Sequence, residues 1–167
     1  MTGRFRKSGS AMTLFNNQKI NDIDLRIATW MNKYGRLFLR YSLAVIFIWF
    51  GALKPLGMSP AADLATKTVS WIPADIFLPI LGWWEVAIGV CLIFRPLIRV
   101  AIFLLFAQMV GAVMPLFILP DVCFTSIPFG LTLEGQYIIK NLIIISSALV
   151  IGGTVRHEAL KDNSIKL

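Results

Sequence analysis

The stretch Leu131–Gly153, LTLEGQYIIKNLIIISSALVIGG, ends in a long apolar run, yet Glu134, Gln136, Lys140 and Asn141 occupy its first half. Either these residues form a polar helix end at a water boundary, or a membrane span carries a lysine inside it. The rest of the chain decides between the two. Of 167 residues 57% are hydrophobic and 15% charged, with a mean hydropathy of +0.74. Too little polar surface remains to coat a water-soluble globule. Four apolar runs, about 36–54, 75–94, 97–119 and 135–153, are each long enough to cross roughly 30 Å of hydrocarbon at about 1.5 Å per helical residue. Four strands could not close a membrane barrel, so helices are expected.

The expectation is an all-α membrane protein: a four-helix transmembrane bundle over residues 36–155 with an N-terminal amphipathic interfacial helix. Residues 1–35 form a basic tail. Within it Ile20, Ile23, Ile27, Trp30 or Met31, and Tyr34 recur at helical spacing, which predicts a helix over 21–35 lying flat on a leaflet. Residues 156–167 form a second tail. Thirteen of the sixteen Lys and Arg fall in the tails, at the entry of the first span, or at Arg95 and Arg99 in the second turn; Lys54, Lys67 and Lys140 are the exceptions. This asymmetry predicts that both termini are cytoplasmic, in a multi-pass membrane protein. No cleaved signal peptide is expected. The net charge of +7 fits an anionic lipid bilayer as partner, and no nucleic-acid motif accompanies it.

Two connections should lie on the outer side. In the first, Ser59 and Pro60 are expected to start a short helix before Trp71. The second, PLFILPDVCFTSIPFGLTLEG, is apolar and broken by Pro115, Pro120 and Pro128; its phenylalanines suggest a lid sunk among the helix ends.

At 100° per residue Gln136, Lys140 and Ser147 share one line of the fourth helix, with Glu134 and Asn141 beside it, so Lys140 is expected to look inward. Gly82, Glu85 and Gly89 share a face of the second helix. A carboxylate at that depth costs about 2.5–3.5 kcal/mol, and the glycines permit close packing. Gln108 occupies a similar depth in the third helix, and Gly51 precedes Lys54 by one turn at the end of the first. Lys54, Glu85, Gln108, Lys140 and Asn141 are therefore the candidate ligand-binding residues of an outward-facing polar pocket, with Gly51, Gly82 and Gly89 as helix-packing positions. The competing reading is structural: interhelical hydrogen bonds for Gln108 and Asn141, snorkelling for Lys54, and an ion pair between Glu85 and Lys140.

The single histidine, His157, lies beyond the last span. Neither haem nor a metal centre is expected, and no intrinsic cofactor. Cys91 and Cys123 fall on opposite sides of the bilayer without a C-x-x-C pair, so both are expected to be structural thiols, with Cys123 able to pair with a partner if exposed. There is no P-loop, H-E-x-x-H or G-x-S-x-G.

The segments RYSLAVIFIWFGALK, GWWEVAIGVCLIF followed by RPLIRVAIFLLFAQM, and EGQYIIKNLIIISSALVIGG resemble the DoxX-like family of small bacterial inner-membrane proteins, which includes relatives linked to reactive-chlorine resistance. The resemblance covers about 36–155 and leaves the basic tail outside. Its recurring features are Gly51 with Lys54, Glu85 with Gly89, and the arginine turn. It implies a four-helix transmembrane bundle and a link to redox or oxidative-stress physiology, one member type being a subunit of a thiosulfate:quinone oxidoreductase. Three functions follow as expectations: a redox accessory protein binding a quinone, with no catalytic residues of its own assigned; a structural or assembly subunit of a larger membrane complex, or a homo-oligomer; and a small transporter or proton path through Glu85.

Overall fold

The computed structural model describes the backbone of residues 8–164 and the side chains of residues 20–153. The cations of the extreme N-terminus, together with Arg156, His157, Lys161 and Lys166, lie outside the described side chains.

The protein is membrane-embedded and all-α, with four helical stretches apolar and long enough to span a bilayer: Ile20–Leu53, Ala74–Ile93, Arg95–Ile118 and Leu133–Gly153. They belong to α1 (Ser8–Leu53), α3 (Ala74–Ile93), α4 (Ile98–Val113) and the pair α7 (Leu133–Ile139) and α8 (Asn141–Ser164). The connections carry α2 (Ala62–Thr68), α5 (Pro115–Ile118), α6 (Pro120–Cys123) and a two-stranded antiparallel hairpin, β1 (Phe124–Ser126) with β2 (Gly130–Leu131).

The segment expected to form the N-terminal interfacial helix is helical, and it is longer than expected, being continuous through residue 36 with the first span in α1. Gly35 is the only helix-weakening residue near that point. One glycine costs about 1 kcal/mol in a helix interior, too little to interrupt flanking strong helix formers. Its apolar residues Ile20, Ile23, Ile27, Trp30 and Met31 are exposed, and Trp30 and Tyr34 contact at 5.6 Å between ring centroids.

Proline and glycine explain where the first span stops. Pro55 has no N–H to continue the ladder, and Gly57, at φ 70°, adopts the left-handed conformation of the turn. In that turn Gly57 N–H donates to the Lys54 carbonyl at 3.1 Å, and Met58 N–H to that of Leu53 at 3.0 Å. The short helix that follows starts at Ala62, later than expected. Ser59 does not cap it; Ser59 to Ala62 form a turn closed by Ala62 N–H on the Ser59 carbonyl at 3.2 Å, with Pro60 at the second position where its fixed φ suits a turn.

The core joins Leu43, Ala44 and Phe47 of α1, Ile88 and Leu92 of α3, Ile98, Ala101, Leu105 and Met109 of α4, and Ala148 and Ile151 of α8. Trp49, Phe103, Val110 and Leu149 point out of it. Between apolar helices in lipid there is little hydrophobic driving force, so association rests on close packing at small residues. That is what α1 and α3 do. A Cβ on Gly51 would stand 2.7 Å from the Gly82 carbonyl oxygen, one on Gly82 would stand 2.6 Å from that of Gly51, and one on Gly89 would stand 2.7 Å from that of Ala44. The tight turn between α3 and α4 is a 3₁₀ segment, Arg95–Leu97, and Trp84 Nε1 donates to the Leu104 carbonyl across this pair at 3.3 Å.

Residues Gly82 and Gly111 should therefore respond oppositely to substitution. Gly82→Val is expected to destabilise by about 1–3 kcal/mol or more through overpacking. By contrast Gly111→Ala, with nothing within 4 Å of its Cβ, should be neutral or stabilising by about 0.5–1 kcal/mol; thermal unfolding in detergent measures both.

Candidate functional site

Three of the polar residues singled out in the sequence meet. Lys54 Nζ donates to Glu85 Oε2, forming a buried ion pair, and Gln108 Nε2 donates to Glu85 Oε1 at 2.6 Å. Lys54 and Glu85 are only 8% and 9% exposed, so these groups are covered rather than lining an open recess. Gln108 Oε1 is also buried and has no hydrogen-bond partner.

Each side chain is placed by a local cause. Lys54 follows the last residue of α1, where Pro55 and the Gly57 turn set its backbone. Gly82 makes room for it: a Cβ there would lie 2.7 Å from Pro55 Cδ and 2.9 Å from Lys54 Cβ. Glu85 is one turn further along α3 from Gly82, and Gly51 in turn makes room for Glu85, whose Cβ would be 2.8 Å from a Cβ on Gly51. Two antiparallel helices each carry a glycine three residues before an ionic side chain, and packing glycine on glycine brings lysine to glutamate. Gln108 reaches the same carboxylate from α4, on the face that buries Ala101, Leu105 and Met109.

Lys140 and Asn141 are not brought to Glu85. Lys140 is exposed, and its ammonium stands 4.8 Å from the centroid of the Tyr137 ring, a cation–π contact. Asn141 is half-buried, and Gln136 and Glu134 are exposed. The inward aim expected for Lys140 fails because the fourth span is not one uniform helix. It breaks at Lys140 between α7 and α8, and the start of α7 is clasped to the preceding loop. Thr132 Oγ1 donates to the Val122 carbonyl at 2.6 Å and accepts from Gly135 N–H at 3.2 Å, while Thr132 N–H donates to the Cys123 carbonyl at 3.0 Å. A Cβ on Gly135 would collide with that carbonyl at 2.1 Å. Thr132 and Gly135 were missed in the sequence; the signal was Thr132 three residues before a helical glycine, a capping pattern.

The proline-broken connection is no sunken aromatic lid either. Phe117 and Phe129 are exposed, whereas Cys123 and Pro115 are buried, because the backbone bonds to Thr132 hold the Cys123 end down and leave the hairpin tip out. Both cysteines are free. Burial pushes the Cys123 thiol above its ordinary range, and the Glu134 carboxylate raises it further.

Among the described residues no cluster of His, Cys, Asp and Glu could hold a metal ion. What the site offers is a carboxylate with both oxygens engaged by donors, plus one unsatisfied amide acceptor. Comparison with protein-family models, with curated proteins and with solved structures found no match.

Removing one partner of the ion pair should cost about 3–5 kcal/mol, because the other charge is left uncompensated. Lys54→Met and Glu85→Leu are each expected to be destabilised by this amount and the double variant by much less, in a thermodynamic cycle in detergent. For Cys123, a raised pKa leaves less thiolate at any given pH below it. Alkylation at neutral pH is therefore expected to be much slower in the folded protein than in the unfolded chain, and to accelerate only at more alkaline pH.

Proposed function

We propose that the chain is an integral membrane accessory protein of a redox or oxidative-stress system, and that its Lys54–Glu85–Gln108 site receives the head group of a quinone or quinol. One observation carries this reading: the buried, unpartnered Oε1 of Gln108. A buried acceptor without a donor costs about 1–3 kcal/mol, and a quinol hydroxyl arriving from the lipid phase is a donor that removes the cost. Lys54 supplies the complementary donor for a carbonyl oxygen, beside the Glu85 carboxylate that holds it in place. Reduction of a quinone to a quinol takes up two electrons and two protons, and in this reading the electrons are supplied by a partner redox subunit. The resemblance to the DoxX-like family supports the same reading and a bacterial inner membrane, and the lysine and arginine asymmetry supports an orientation with both termini cytoplasmic.

A second reading, a structural or assembly subunit, is favoured by the hairpin, whose Ile127 and Phe129 are 72% and 93% exposed beside exposed Phe117 and Leu133. Binding of a short-chain quinol to the purified full chain separates the two. Under the first reading Gln108→Leu weakens binding by about tenfold, the equivalent of one hydrogen bond, without loss of the fold. Equal binding by Gln108→Leu and the unaltered protein overturns it, and a stoichiometric larger partner in native mass spectrometry, with no bound quinone, supports the second.

A further inference from the structure

Arg40 lies one helical turn before Ala44 on α1. Gly51 packs on Gly82 and Ala44 on Gly89, so the helices run antiparallel and this register carries Arg40 level with the last turn of α3, just before Arg95. Its side chain is 8% exposed. One nitrogen, Nη2, donates to the Tyr41 hydroxyl at 3.0 Å, and the guanidinium carbon stands 4.8 Å from the Tyr41 ring centroid. Its Nε is buried with no hydrogen-bond partner. A guanidinium cannot shed its charge by deprotonation, and leaving it desolvated without an anion is costly. Its planar fork matches phosphate oxygens.

A second observation indicates where such a phosphate comes from. An apolar groove of about 310 Å³ is lined by Leu39, the residue before Arg40, and on α8 by Leu142, Ile143, Ser146, Ser147 and Val150. Both serine hydroxyls are spent inside the helix, Ser146 on the Leu142 carbonyl at 2.9 Å and Ser147 on that of Ile143 at 2.7 Å. The groove therefore presents hydrocarbon to its occupant. We propose that Arg40 and this groove form a phospholipid site, in which a phosphodiester oxygen accepts from Arg40 Nε and one acyl chain lies along α8. Exposed Arg99 adds positive potential at that level, so an anionic headgroup binds in preference to a zwitterionic one.

The test uses the delipidated full chain in mild detergent, with phosphatidylglycerol, phosphatidylcholine and inorganic phosphate as separate probes and native mass spectrometry as readout. One phosphatidylglycerol per chain is expected to survive where phosphatidylcholine does not. Arg40→Gln should weaken its retention about tenfold, the loss of one charge-assisted hydrogen bond. Arg40→Lys, which keeps the charge but lacks the Nε donor, should weaken it nearly as much. Val150→Trp, which fills the groove from a half-exposed position, should weaken lipid retention and leave inorganic phosphate unaffected; this arm and Arg40→Lys carry the test if Arg40→Gln does not fold. Unchanged lipid retention in both arginine variants overturns the proposal. So does inorganic phosphate displacing the lipid while Val150→Trp has no effect, which would leave a site for a free anion.

Discussion

A lysine and a glutamate share one buried position because two glycines let their helices touch. Each charge alone would be expensive in the apolar interior of a membrane protein, and each is tolerable only beside the other. The backbone contact of Gly51 with Gly82 sets the separation that makes the pair possible. The pair in turn determines which faces of α1 and α3 meet. Packing and electrostatics are here one constraint, since a side chain at either glycine would part the helices and strand both charges.

Around this contact the remaining polar groups divide by what they can reach. Gln108 completes the carboxylate's hydrogen bonds from α4 and is left with an acceptor to spare. Lys140 stays on the surface with Tyr137, and the charge that the sequence places inside the fourth span is no counterion to Glu85. The polar interior is thus narrower than five converging side chains would make it, a compact three-residue cluster on α1, α3 and α4. Its chemistry is that of a buried ion pair and hydrogen bonding, with one amide acceptor unsatisfied.

Among the described residues two buried side-chain atoms, Gln108 Oε1 and Arg40 Nε, lack partners, and they differ in kind. The first is an acceptor beside an ion pair, suited to a hydroxyl. The second is part of a permanent cation next to an apolar groove, suited to a phosphate with a hydrocarbon tail. Native proteins rarely leave such groups unsatisfied. The two groups are independent of one another, since they lie on different helices at different levels of the bundle.

Composition and run length alone were enough to establish four membrane helices, because no other structure satisfies the backbone of about 20 consecutive apolar residues in lipid. Helical periodicity likewise put Glu85 on the glycine face of α3 and Gln108 on the buried face of α4, since residues three and four apart share a face whatever surrounds them. Periodicity could not say which lysine Glu85 would meet. Both Lys54 and Lys140 stand on polar helical faces near the right depth, and the choice depends on helix register, on the break at residue 140 and on the Thr132–Gly135 clasp, all of which join parts of the chain distant in sequence. The extent of α1 was also beyond a reading of apolar runs, because polar residues continue a helix without marking its end. Orphaned atoms are the extreme case: whether a nitrogen or oxygen has a partner is a property of packed neighbours, so Arg40 and the free end of Gln108 became visible only when the helices were placed together.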